Sequence, residues 1–152
     1  MRPSHAILLG GLTVDILDGL DAVVFFGLRG VPADRIFQAI AAGLLGKDAF
    51  QGGMATVALG GVLHFSIATT IAAVYILASR RWAALADRPF LWGPVYGIGA
   101  YLVMNLVVIP LSAAAGAKHT IPVVLNGVLI HIKGVGLPSA LFARAATSSR
   151  EV

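Results

Sequence analysis

The sequence predicts an all-α integral membrane protein: a four-helix bundle with a short interfacial amphipathic helix between the first and second spans. Three observations carry that expectation. Hydrophobic residues fill 58% of the 152 positions and charged residues only 12%, whereas a soluble domain is nearer half apolar and a quarter charged. Four segments are apolar over the roughly 20 residues needed to cross a bilayer. The basic residues fall mostly between those segments, as topology signals do. An ordinary soluble enzyme, a disordered chain and a nucleic-acid-binding domain are excluded, despite the net charge of +4. With no cysteine in the chain, disulfides, thiol chemistry and cysteine-ligated metals are excluded too.

The first span is expected over about residues 6–28. It carries Asp15, Asp18 and Asp21 and lacks a small-residue cleavage site, so it reads as a retained span rather than a signal peptide. After it, Asp34 and the apolar spacing of Ile36, Phe37, Ile40, Leu44 and Leu45 predict an amphipathic helix over about residues 34–46. That helix lies in the interface or tucks back against the bundle.

The second, third and fourth spans are expected over about residues 54–78, 91–112 and 121–143. Arg2, Arg80, Arg81, Arg88, Arg144 and Arg150 fall on one side of such a bundle; Arg29, Arg35, Lys47 and Lys118 fall on the other. The larger set marks the cytoplasmic side, placing both termini there. Trp82 and Trp92 flank the same short loop as interface anchors.

Small residues recur on one face of each span: Gly11 and Ala22 on the first, Gly60 and Ala68 on the second, Gly93 and Gly97 on the third, Gly127 and Gly134 on the fourth. Such faces let backbones approach closely in lipid. The polar residues share these faces, so the expected site is a polar layer at the membrane midplane.

Asp15, Asp18, His64, His131 and Lys133 all fall near the centres of their spans. A midplane charge costs roughly 2.5–3.5 kcal/mol on insertion scales and therefore faces inward toward a partner. Asp15 or Asp18 is expected to pair with Lys133. On a regular helix Lys133 shares a face with Asn126, and His131 points elsewhere. Gly134, Gly136 and Pro138 permit the irregularity that would bring both inward. Tyr75, Tyr101, Asn105 and Asn126 are supporting polar groups, with Asn105 expected to bond across the bundle.

Two roles fit this layer: an ion pair that fixes helix register, or a proton or cation relay between carboxylate and imidazole. The leading functional expectation is proton- or cation-linked transport or ion handling. Transport at this size calls for a homo-oligomer or larger membrane complex. The first alternative is a non-catalytic accessory or structural subunit. The second is a b-type haem carrier with His64 and His131 as axial ligands at equal depth. No cofactor is otherwise expected. No hydrolase elbow, phosphate loop or zinc-protease motif occurs, so neither catalytic residues nor a metal site are assigned.

His64-Phe65-Ser66, Tyr75, the Gly93 and Gly97 pair, Val108-Ile109-Pro110-Leu111 and His131 resemble a family of small, uncharacterised four-helix bacterial inner-membrane proteins, broadly YagU-like. The likeness covers roughly residues 55–143. It implies four helices and a bacterial inner membrane, and transfers no site residues.

Overall fold

The computed structural model describes residues 1–114 and 120–147, and every regular element among them is helical. Lys118, Arg150 and the polar tail beyond Thr147 lie outside the described residues. Helix α1 spans Pro3–Gly27 and α2 spans Ala33–Leu45. A 3-10 turn over Gly46–Gln51 leads into α3, Gly53–Ser79. The short α4, Ala84–Asp87, precedes α5, Pro89–Leu111, and α6, Ile121–Thr147.

Helices α3, α5 and α6 are each long and apolar enough to cross a membrane. α1 has 25 residues, but its apolar run is broken by Asp15, Asp18 and Asp21. Proline sits in the first turn of α1, α5 and α6, where its missing N–H has no helical partner to lose. Gly30, with φ +83°, makes the turn from α1 into α2, and Gly46, with φ +60°, ends α2. Both angles lie in the left-handed region that a Cβ disfavours.

Glycines set the crossings. A Cβ on Gly11 would meet Thr69 Cα of α3 at 2.7 Å. Gly60 of α3 lies directly against the Phe37 carbonyl of α2, and Gly97 of α5 against the His131 carbonyl of α6. α1 runs antiparallel to α3, since Gly11 meets Thr69 and Asp18 meets His64. α5 runs antiparallel to α6, since Gly93 meets Leu137 and Gly127 meets Tyr101.

Two features depart from the expected regular spans. Met104–Val108 and His131–Gly136 are wide turns of π-helix. Each contains the residue four before a proline, Leu106 before Pro110 and Gly134 before Pro138. A proline ring crowds that carbonyl and offers it no N–H, so the turn opens. Helix α2 is found where the sequence predicts it, tucked against α3, but on an unexpected face. Its buried residues are Gln38, Ala41 and Ala42, while Leu44 and Leu45 are exposed. The α2 backbone approaches α3 at Phe37, against Gly60, and Ala41 and Ala42 are small enough for so close a contact.

The end of the molecule holding both helix α4 and the start of α1 is solidly filled. Ala6, Ala72, Tyr75, Ile76, Ala140 and Ala143 form its core. The Tyr75 and Tyr96 rings meet edge to face at 4.9 Å. Tyr96 donates to the Ile71 carbonyl at 2.7 Å, and Tyr75 to the Leu85 carbonyl at 2.9 Å. The half nearer α2 has a smaller core of Ala41, Ala42 and Ala49, with a cavity beside it.

Candidate functional site

Between α2, α3 and α5 lies a cavity of about 520 Å³, floored by α1 and α6. Its walls are mainly apolar, with Phe26, Ile36, Ile40, Ile67, Ile71 and Val108 among them. Asp18, His64 and His131 line it at the level where α1, α3 and α6 meet, and Asn105 and Arg35 complete its main polar groups.

His64 is held from both sides. Its Nδ1 lies 2.6 Å from Asp15 Oδ1, and its Nε2 lies 3.0 Å from Asp18 Oδ2. The spacing Asp15, Asp18 makes this possible, because residues three apart are neighbours on one helix face. The facing Gly11 brings α1 close enough to α3 for both carboxylates to reach one ring. Asp18 lines the cavity and Asp15 does not, so the imidazole separates a cavity-side carboxylate from a second one behind it.

The proton count follows from the geometry. A ring nitrogen and a carboxylate oxygen at hydrogen-bond distance need one proton between them. Two such contacts hold two protons, which makes the Asp15–His64–Asp18 cluster singly negative wherever each proton rests.

His131 begins the π turn of α6. Its Nδ1 donates to the Gly127 carbonyl at 2.9 Å, since a carbonyl only accepts. The same nitrogen is 3.9 Å from Asp18 Oδ1, beyond hydrogen-bond range. Tyr101 packs its ring edgewise against the imidazole at 5.4 Å.

The expected partnership of Asp15 or Asp18 with Lys133 is not formed. Lys133 is exposed, and both carboxylates are taken by His64. The irregularity anticipated near Gly134 does occur, but it turns His131 inward and leaves Lys133 outside. The buried positions of that turn are Gly134, Val135 and Gly136.

The supporting groups divide. Asn126 donates to Asp21 Oδ2 at 2.6 Å, tying α6 to α1 beside the cluster. Asn105 donates to the Tyr101 carbonyl of its own helix at 2.9 Å, not across the bundle as expected. Tyr75 belongs to the filled half and not to the polar layer.

Sequence reasoning missed Arg35, which reaches the cavity from α2 and donates to the Phe50 carbonyl at 3.2 Å. It also missed Gln38 and Thr56, buried at the α2–α3 contact. Thr56 donates to the Ala49 carbonyl at 2.7 Å. The one signal was Gln38 itself, a polar residue beside an apolar stripe.

No protein-family model, curated protein or solved structure matches the chain.

Proposed function

We propose that the protein is a small four-span membrane protein whose Asp15–His64–Asp18 cluster handles protons or cations. The observation that carries this reading is His64 bracketed by two carboxylates, one of which opens onto a 520 Å³ cavity. Buried ionisable residues in membrane helices mark ion pathways and proton relays.

Membrane insertion is supported by the apolar perimeter. Leu8, Leu12, Ile16 and Leu20 form an exposed stripe along α1, and Leu102, Val103, Leu106 and Val107 do the same on α5. Water makes such surfaces costly and lipid does not. α1 qualifies as the fourth span because two of its three aspartates are satisfied by His64 and the third by Asn126. Trp82 and Trp92 are both exposed near the α3–α5 turn, where headgroups would lie. The charge asymmetry of the sequence favours cytoplasmic termini, and the YagU-like resemblance a bacterial inner membrane.

The test is proton flux into liposomes holding the purified chain. Faster pH equilibration than in protein-free vesicles, returning to the protein-free rate in Asp18→Asn, is the expected result. A wild-type rate equal to that of empty vesicles would remove the proton half of the reading and leave cation handling to the binding test below.

A second reading, a subunit of a homo-oligomer or larger complex, rests on Lys133. It is exposed at the middle of α6 and has no ion-pair partner among the described residues. A lysine at that depth facing lipid is costly, and a carboxylate or carbonyl on an adjoining subunit would satisfy it. Native mass in mild detergent decides between monomer and assembly. The haem reading requires His64 to give up its bond to Asp15 or Asp18 to free a nitrogen for iron. An absorption spectrum of the purified protein, oxidised and reduced, tests it.

A further inference from the structure

We propose that the cavity binds a monovalent organic cation with a bulky apolar body, its charge set against Asp18. This rests on the reading of the cluster as a cation-handling site, and names the class of ligand.

Size comes first. At about 520 Å³ the cavity falls within the roughly 300–1,000 Å³ typical of small-molecule sites. An inorganic ion would leave most of that volume and its apolar walls unused. An apolar body, in contrast, gains from contact with Phe26, Ile36, Ile40, Ile67, Ile71 and Val108.

Charge comes second. The Asp15–His64–Asp18 cluster carries one net negative charge while both of its short contacts keep their protons. Asp18 is the member that reaches the cavity. His131 in its neutral form adds no charge, and its Nδ1–H is already given to Gly127. An anion at this end meets a like charge in a poorly screened setting, and a cation meets its complement.

The opposite charge on the lining is Arg35. It is exposed and held away by the Phe50 carbonyl, with its guanidinium 5.6 Å from the Phe50 ring centre. It therefore stands at the rim, and the carboxylate stands at the floor. One negative charge under an apolar vault selects one positive charge on an apolar body.

The experiment is equilibrium dialysis of the full chain in detergent with radiolabelled tetraphenylphosphonium. Tetraphenylborate, equal in shape and opposite in charge, is the comparison. Saturable binding of the cation is expected, with the anion at least about tenfold weaker, a difference of about 1.4 kcal/mol. Asp18→Asn should weaken cation binding by about tenfold or more. Ala39→Trp, which fills the cavity from an exposed position on its lining, should do the same with all charges intact. Asp21→Asn, outside the lining, should bind as wild type.

Equal binding of the two probes, or wild-type binding by both Asp18→Asn and Ala39→Trp, overturns the proposal. If tetraphenylphosphonium fails to bind while liposome proton flux persists, the ligand class falls and ion handling stands. If binding and flux both fail, both fall.

Discussion

Asp18 Oδ2 and His64 Nε2 lie 3.0 Å apart and join α1 to α3 halfway along both helices. Asp15 makes the same junction from the next turn at 2.6 Å. The two contacts share one ring, so α1 is tied to α3 through both nitrogens of a single imidazole.

A double-mutant cycle on Asp18→Asn and His64→Gln should return a coupling energy of about 0.6–2 kcal/mol, the range for polar contacts between membrane helices. The same cycle on Asp18→Asn and Lys133→Gln should be additive within about 0.5 kcal/mol. Reversible unfolding in mixed micelles supplies both numbers. Strong coupling to Lys133 would place the ion pair where the sequence alone suggests it.

Gly97→Ala should destabilise the chain by about 1–3 kcal/mol, the usual cost of overpacking, because the added methyl meets the His131 carbonyl. Gly99→Ala is the control, two residues along the same helix. Nothing lies within 4 Å of its added Cβ, so the change should be neutral or stabilise by up to about 1 kcal/mol through helix propensity. Equal effects in a thermal melt would contradict the α5–α6 crossing.

Tyr96→Phe should cost about 0.5–1.5 kcal/mol. The ring still packs on Tyr75, but the Ile71 carbonyl loses its side-chain donor. A loss above about 3 kcal/mol would mean that the ring itself had moved.

The chain has no cysteine, so single cysteines report without background. His131→Cys and Asn105→Cys, both on the cavity lining, should react with a small charged thiol reagent. Lys133→Cys should react with a lipid-soluble maleimide and resist the charged one. Ala33→Cys and Trp82→Cys, at opposite ends of the molecule, should be labelled from opposite sides of intact cells. Labelling of both from the same side would break the proposed four-span arrangement.

Much of the helix content is legible in the sequence because it depends on local facts. Apolar length, the prolines in the first turns and the left-handed glycines mark the helix bounds within a few residues. Gly11, Gly60, Gly93 and Gly97 are also recognisable as packing positions, since only small residues permit such approach. Even the sharing of one face by Asp15 and Asp18 follows from helical spacing.

The identity of the partner does not follow. Asp18 had three candidate neighbours at similar depth, His64, His131 and Lys133, and opposite charge favoured Lys133. The tertiary structure decides for His64 because Gly11 on Thr69 brings α1 against α3, while the π turn before Pro138 rotates Lys133 outward. The cavity likewise belongs to no single segment. Residues of α1, α2, α3, α5 and α6 together line it, while at the filled end Tyr75 of α3 meets Tyr96 of α5. Periodicity along one helix specifies which residues face inward; the separation and rotation of four others determine what each of them meets.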